Sequence, residues 1–345
     1  MWFHFSADDR GTSRRARDIR AALVHAGHRV TEAASTAPVP PHADVWFHGL
    51  AGSDLRGPAD PALNERLVAF PRDVVVFQLC DSDSMSFQKL LPPLCDKARL
   101  FLRNHWPTNK QGIPSELLSR LGYLPPMIRA IEPHTGERLA ERSRGAMFYG
   151  TPTGKLYFPE GRELLIARMH ASGLPFEGGL SPDAGCPREP PPELTVPRMD
   201  PREHARRLFD TKICLAPWGN HKLTYRLFEG LAARCLVITQ PFGDIAFLDG
   251  GLRAGVHYVE SDAQHDSAVE RVRYYLAHLD EAQRIADAGH VHFLKHFAPR
   301  GRLVSEYLFQ ASVASWGDLY RPRAAHFSPA TAIRAATARW FPTWY

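Results

Sequence analysis

The stretch ICLAPWGNHKLTYRLFEGLAARCLVITQ, residues 213–240, decides the fold of this chain. An apolar strand at 213–216 leads into a loop at 217–222 that contains a proline and a glycine, and a helix is predicted over 224–234, before a second apolar strand at 236–239. Four side chains recur every four residues and are predicted to face the sheet: Leu223, Leu227, Leu231 and Cys235. Such a β-loop-α-β unit places the loop and the helix N-terminus at the carboxyl edge of a parallel sheet, where ligands bind.

Strands alternate with helical stretches on both sides of this unit, which predicts the α/β fold class. A length of 345 residues favours two domains with a cleft between them. The segment 123–145, rich in proline and charge, is predicted as the inter-domain linker between a domain at 1–122 and a domain at 146–315. The last residues, 316–345, are expected to pack back toward the N-terminal domain.

Composition and charge narrow the classes of function. The net charge of +5 favours anionic partners without identifying one. A nucleic-acid partner is not favoured, because the chain has no zinc-finger, RRM or homeodomain pattern. The five cysteines are odd in number and widely spread, which predicts reduced core thiols rather than a disulfide framework.

The distribution of apolar residues bears on location. No apolar run reaches the roughly 18 residues that span a bilayer, and the N-terminus turns acidic before a signal-peptide core can form, so a cytoplasmic location is expected. The aromatic C-terminal stretch ARWFPTWY, residues 338–345, leaves open a peripheral contact with a membrane as the alternative to packing on the protein.

The start of the predicted helix has the chemistry of a diphosphate site. Free backbone N–H groups and a partial positive charge attract anions there, and Lys222 and Arg226 would add full charges. Glu229, three residues after Arg226, could accept hydrogen bonds from ribose hydroxyls, and Gly219 would let the backbone approach the ligand. The spacing alone equally fits a surface ion pair between Arg226 and Glu229, with Gly219-Asn220 as a simple turn.

Residues 213–239 resemble the signature of exostosin-like and related bacterial GT-B glycosyltransferases, with a Pro-x-Gly loop and a Tyr-Arg-x-x-Glu helix. The likeness extends over about 199–297 and is weaker over 123–150. It implies a GT-B fold of two Rossmann-like domains, with the acceptor bound by the N-terminal domain and the nucleotide-sugar donor by the C-terminal one. The implied reaction moves a sugar from a nucleotide donor, by family association UDP, to a hydroxyl-type acceptor. It is expected to be inverting and to need no metal or other cofactor.

The resemblance also implies the site residues. Arg226 would hold the donor phosphates and Glu229 the ribose. The residues expected around them are Gly219, Asn220, Lys222, Thr224 and Tyr225, with Thr151 and Lys155 approaching from the other side of the donor. An inverting reaction needs a general base in the N-terminal domain. Asp81 is the first candidate because it directly follows the longest predicted buried strand, and Asp8, Asp9 and Asp83 are the others. One departure is Arg234-Cys235, where a glycine is usual, which leaves the exit of the helix open.

Two other functions remain open. Asp81-Ser82-Asp83 looks like the Asp-x-Asp metal motif of single-domain GT-A glycosyltransferases, in which two carboxylates bind Mn²⁺ or Mg²⁺. The chain could also be a non-catalytic protein that binds a nucleotide sugar or a glycan on the same scaffold. His290, His292 and His296 form a cluster. No Cys, Asp or Glu that could complete a metal site stands nearby at a typical spacing, so no metal site is predicted.

Overall fold

The structure of the protein is a computed structural model. It describes residues 1–7, 10–34, 37–50, 65–66, 69–70, 73–78, 98–103, 121–123, 137–152, 161–182, 189–219, 222–243, 245, 251–298 and 304. The chain forms two compact units. The described residues of the first unit are those up to 123, together with Val304. Those of the second unit lie within 137–298.

The first unit is a parallel sheet with a helix, α1 (Arg10–His25), packed on one face. Its strands are β1 (Trp2–Ala7), β2 (Arg29–Ala34), β3 (Val45–Leu50), β4 (Asp73–Gln78), β5 (Ala98–Arg103) and β6 (Leu121–Tyr123). They lie in the order β2-β1-β3-β4-β5-β6, and every described pair is parallel. Ile19 and Leu23 of α1 join Phe3 and Phe5 of β1 in a buried core, and Val304 belongs to the same cluster.

The opposite face of this sheet carries a buried polar network, because strand side chains alternate between faces. Ser6 Oγ lies 2.9 Å from His48 Nδ1 and accepts a hydrogen bond of 2.7 Å from Trp46 Nε1. On the same face His4 Nδ1 lies 2.9 Å from Thr31 Oγ1. Burial of the His4 imidazole lowers its pKa, so this histidine stays neutral near pH 7.

The second unit is a five-stranded parallel sheet. Its strands are β7 (Arg144–Gly150), β8 (Phe176–Leu180), β9 (Thr211–Leu215), β10 (Leu236–Thr239) and β11 (Val259–Glu260). Its helices are α2 (Gly161–Ala171), α3 (Pro201–Phe209), α4 (Tyr225–Ala232), α5 (Ala268–Ala277) and α6 (Leu279–His292), which continues as a π-helical turn at Phe293–Phe297. Short 3₁₀ turns lie at Leu139–Glu141 and Pro192–Leu194. The strand order is β11-β10-β9-β7-β8, and all pairs are parallel.

Both sheets share one topology. Counted from the first strand of each unit, the order begins 2-1-3-4-5 in both. The order therefore reverses between β1 and β3 in the first sheet and between β7 and β9 in the second. Open parallel sheets bind ligands at the carboxyl ends of the strands that flank this reversal. For the second unit, that rule points to the segments that follow β7 and β9.

The predicted α/β fold class is confirmed, but the sequence missed β8. Its residues lie within 174–198, a stretch whose many prolines and glycines predict a loop. The structure shows why glycine is needed: a Cβ at Gly178 would lie 2.1 Å from Phe148 O, and one at Gly179 would lie 2.4 Å from Val196 Cγ1. Close packing of the backbone, rather than a turn, explains this pair of glycines.

Helix α4 packs closely on the sheet. Leu227 and Leu231 are fully buried, as their spacing predicted. Gly230 allows the approach, because a Cβ there would lie 2.8 Å from Val237 Cγ2 and 2.9 Å from Cys214 Sγ. The resulting contact fixes the position of α4 against β9 and β10, and with it the position of the first turn of the helix.

The exit of α4 resolves the departure seen at Arg234-Cys235. Arg234 has φ 56°, the left-handed conformation that glycine adopts most easily. Cys235 N donates to Gly230 O at 3.0 Å and Arg234 N donates to Leu231 O at 3.2 Å, the two bonds of a Schellman motif. Arg234 Nε also donates to Asp287 Oδ1 at 2.5 Å. An arginine thus occupies a glycine position, and its side chain holds the helix end to α6.

Arg142 is a fully buried arginine that ties the end of α4 to the start of β9. Its guanidinium donates to Thr211 O at 2.8 Å and to Ala233 O at 3.1 Å. Ala233 is the C-cap of α4, where carbonyl groups lack helical partners and a positive charge is favoured. The buried charge is therefore stabilised by the backbone at a helix C-terminus.

We predict that Arg142→Ala lowers the free energy of unfolding by about 3 kcal/mol or more, because the buried carbonyls of Thr211 and Ala233 lose their charged donor. Arg206→Ala is the matched control, since Arg206 is 68% exposed and pairs with Glu203; its effect should stay within about 1 kcal/mol. Urea denaturation of both variants measures the difference. Equal, small effects would show that Arg142 does not hold α4 in place.

Candidate functional site

Arg226 joins the first turn of α4 to the end of β7. Its Nε donates to Tyr149 O at 2.7 Å, and its Nη1 forms an ion pair with the Glu229 carboxylate. The two side chains are 25% and 12% exposed, so the pair is partly buried and is not the surface ion pair that the spacing also allowed. Among the described residues, Arg226 Nη2 and Glu229 Oε1 have no hydrogen-bond partner. One donor and one acceptor are therefore available at the reversal point of the sheet.

The N-terminus of α4 lacks a side-chain cap. Thr224 is the N-cap residue, in an extended conformation with φ −101° and ψ 160°, but its hydroxyl makes no capping bond. Within the described part of the chain, the buried Thr224 Oγ1 has no hydrogen-bond partner. The first turn also carries no acidic side chain. Uncapped amides at the positive end of a helix suit an anion.

Lys222 and Tyr225 flank this helix start. Lys222 Nζ lies 3.4 Å from Phe242 O and 5.3 Å from the centroid of the Trp218 ring. Its charge therefore stays near the carboxyl edge, but it contacts the segment after β10. Tyr225 is 45% exposed at the first position of the helix.

The segments after β7 and β9 are tied together by Arg162, which the sequence analysis missed. Arg162 donates from Nη1 to Thr151 O at 2.8 Å and from Nε to Trp218 O at 3.1 Å. Its guanidinium fills the space beside Gly219, so a contact within the protein accounts for this glycine. One signal was available: Arg162 is a basic residue in the first turn of α2, where the helix dipole favours acidic ones.

The remaining predicted residues fall outside the part of the chain that the structure describes. They are Asn220, Lys155, Asp81, Asp83, Asp8 and Asp9. The structure thus brings together Arg226, Glu229 and Thr224, with Lys222, Gly219 and Thr151 nearby. It gives no geometry for the general base.

The rings of His257 and His296 pack at tilted angles against the ring of His292, at the end of α6. The His292 ring centroid lies 4.3 Å from that of His257 and 4.6 Å from that of His296. Within the described ranges, no group of three or more His, Cys, Asp or Glu side chains is arranged to hold a metal ion. No helix in those ranges combines the length and apolar character needed to cross a bilayer.

His204 of α3 is a buried neighbour of the ion pair. Burial, and after it the Arg226 charge, lowers the pKa of His204 to about 4, while the Glu229 charge opposes this shift. Its Nε2 has no hydrogen-bond partner among the described residues. A neutral imidazole therefore lies beside the pair at ordinary pH.

The depressed pKa of His204 predicts acid sensitivity. Between pH 6.5 and about 4 the unfolded chain binds a proton that the folded chain does not, so the free energy of unfolding falls as pH is lowered. The contribution is up to about 1.4 kcal/mol per pH unit. His204→Asn, which cannot titrate, should show a shallower decline in urea unfolding across this range. An unchanged slope in the variant would contradict the assignment.

One region of the chain matches a known protein family. Residues 183–307 match the family described as glycosyl transferase-like. A search of curated protein sequences gave no significant match.

Solved structures match over most of the chain. A glycosyltransferase from Rickettsia africae shares 10% identity, with a TM-score of 0.55, over 91% of this chain and 99% of that one. Anabaena Alr3699/HepE, crystallised with UDP and glucose, shares 10% identity, with a TM-score of 0.52, over 90% and 100%. Sucrose-phosphate synthase from Thermosynechococcus elongatus shares 13% identity, with a TM-score of 0.50, over 93% and 98%.

These matches confirm the predicted GT-B fold and exclude the single-domain GT-A fold that the Asp81-Ser82-Asp83 motif had left open. The family that matches residues 183–307 is described only as glycosyl transferase-like, so the match does not single out the exostosin-like group. The chain therefore has the GT-B fold, and its residues 183–307 match the glycosyl transferase-like family.

Proposed function

We propose that this protein transfers a sugar from a UDP-sugar to a hydroxyl-type acceptor, with the donor bound at the carboxyl edge of the second sheet. One observation carries the proposal: the uncapped N-terminus of α4 lies beside the Arg226–Glu229 pair at the reversal point between β7 and β9. The choice of UDP draws on relatives in fold, because HepE was crystallised with UDP and with UDP-glucose.

The donor diphosphate would bind at the start of α4. The first-turn amides have no side-chain cap, and the Thr224 hydroxyl can donate a hydrogen bond. Arg226 Nη2 would add a charge-assisted bond, since Nε and Nη1 are already bound to the protein. Negative charge grows on the diphosphate as the sugar leaves, so these fixed donors stabilise the transition state more than the ground state.

Glu229 would bind the ribose. Its Oε2 is held by Arg226, which fixes the orientation of the carboxylate, and Oε1 can accept a ribose hydroxyl. The ion pair that the sequence offered as a competing explanation thus becomes part of the site. Arg226 orients the carboxylate with one nitrogen and can contact phosphate with another.

The finer parts of the proposal follow from the resemblance. The reaction would be inverting and independent of metal and of other cofactors, with Asp81 or Asp8 as general base. Residues 1–122 would bind the acceptor, and residues 146–315 the donor. The proposed family is that of the exostosin-like and related bacterial GT-B glycosyltransferases, and the proposed location is cytoplasmic.

We predict that Arg226→Ala and Glu229→Ala each lower kcat/KM at least about 100-fold, as expected when a charge-assisted hydrogen bond to the transition state is lost. The assay is transfer or hydrolysis across a panel of nucleotide sugars. Arg273→Ala is the control, because Arg273 and Glu270 form an i,i+3 pair of the same type on α5 that is 50% and 74% exposed. Full activity in both site variants would refute this donor site.

The same panel of nucleotide sugars, assayed with EDTA, tests whether the reaction needs a metal ion. Helix dipole and guanidinium charge suffice in the proposed mechanism, so activity should be unchanged by the chelator. Loss of activity that added Mn²⁺ or Mg²⁺ restores would show that a cation carries part of the diphosphate charge.

A further inference from the structure

Arg162 connects the two segments that flank the reversal point of the second sheet. It is the second residue of α2, the helix that follows β7. Its Nη1 donates to Thr151 O, just after β7, and its Nε donates to Trp218 O, in the loop after β9. One guanidinium thus holds two loops that are far apart in sequence.

Packing beside Gly219 fixes the position of this guanidinium. A Cβ at residue 219 would lie 2.5 Å from Arg162 Nη2 and 3.2 Å from its Cζ. Gly219 is not among the glycines with positive φ, so space rather than backbone conformation requires a glycine here. The centroid of the Phe148 ring lies 5.6 Å from Cζ. The side chain therefore occupies a fitted position.

Gln240 holds the same loop from another side. Its Oε1 accepts from Trp218 N at 2.6 Å, and its Nε2 donates to Ala263 O at 2.9 Å. Both backbone polar groups of Trp218 are consequently bound by side chains from outside the loop. The backbone at Trp218, which precedes α4 in the chain, is therefore held at both its N–H and its carbonyl.

We propose that Arg162 is a positioning residue for donor binding, which acts by fixing the Trp218–Gly219 backbone ahead of α4. The inference rests on the proposed function. Loops that already have their bound conformation bind a ligand without the cost of ordering. Lysine cannot replace Arg162, because a single ammonium group lacks the planar fork that reaches two carbonyls at once.

Hydrogen exchange in the nucleotide-free protein tests the loop itself. Arg162→Ala and Arg162→Lys should speed exchange in peptides that cover residues 216–219 at least about tenfold, because Trp218 loses one of its anchors. Arg168→Ala is the matched control. Arg168 lies on the same helix and donates to a loop carbonyl, Gln264 O, at 2.9 Å, but it does not contact Trp218.

UDP affinity, measured by calorimetry, tests the consequence for binding. Arg162→Ala and Gly219→Ala should each weaken UDP binding about tenfold or more, whereas Arg168→Ala should not. The double variant should bind about as well as Arg162→Ala alone, because the added methyl group no longer meets a guanidinium. Positioning predicts this lack of additivity, and general destabilisation does not.

Additive losses in the double variant, or exchange that is unchanged by Arg162→Ala, would overturn the inference. Full rescue of exchange and affinity by Arg162→Lys would also overturn it, because a point charge would then be sufficient. Hydrogen exchange is measured without nucleotide, so it tests the role of Arg162 in the loop independently of whether the protein binds UDP. A wild-type protein that shows the expected exchange pattern but binds no UDP would count against the proposed function alone.

Discussion

The hydrogen bond from Arg226 to Tyr149 O is the contact on which the candidate site depends. It joins the end of β7 to the first turn of α4 across the point where the strand order reverses. The same guanidinium holds Glu229, so the orientation of the carboxylate depends on the backbone of a strand that lies far away in the sequence. Gly230 lets α4 sit close enough to β9 and β10 for this arrangement to form.

Arginine side chains bound to backbone carbonyls recur around this sheet. Arg142 binds the carbonyl at the end of α4, Arg226 binds one at the end of β7, and Arg162 binds one after each of β7 and β9. The guanidinium suits this role because it remains charged and offers five donors in a rigid plane. The first turn of α4 has no side-chain cap and no acidic side chain within the described residues, which suits the anion of the proposed donor.

Features that depend on local sequence patterns could be predicted from the sequence. The order β9-α4-β10, the buried faces of Leu227 and Leu231, and the proximity of Arg226 to Glu229 follow from apolar runs and helical spacing. Arg162 was missed because its partner Trp218 lies 56 residues away, a contact that no local pattern reveals. Strand β8 was missed because glycines that serve close packing have the same appearance in sequence as glycines that make turns.

Val304 belongs to the buried core of the first unit, together with Phe3 near the N-terminus, although almost the whole second unit separates them in the chain. During synthesis Val304 therefore reaches this core only after residues 137–298 of the second unit have been made. A fragment that ends before the second unit would lack Val304 and leave a void where its side chain packs. The two units are thus structural divisions of the protein rather than independent modules that could be exchanged freely.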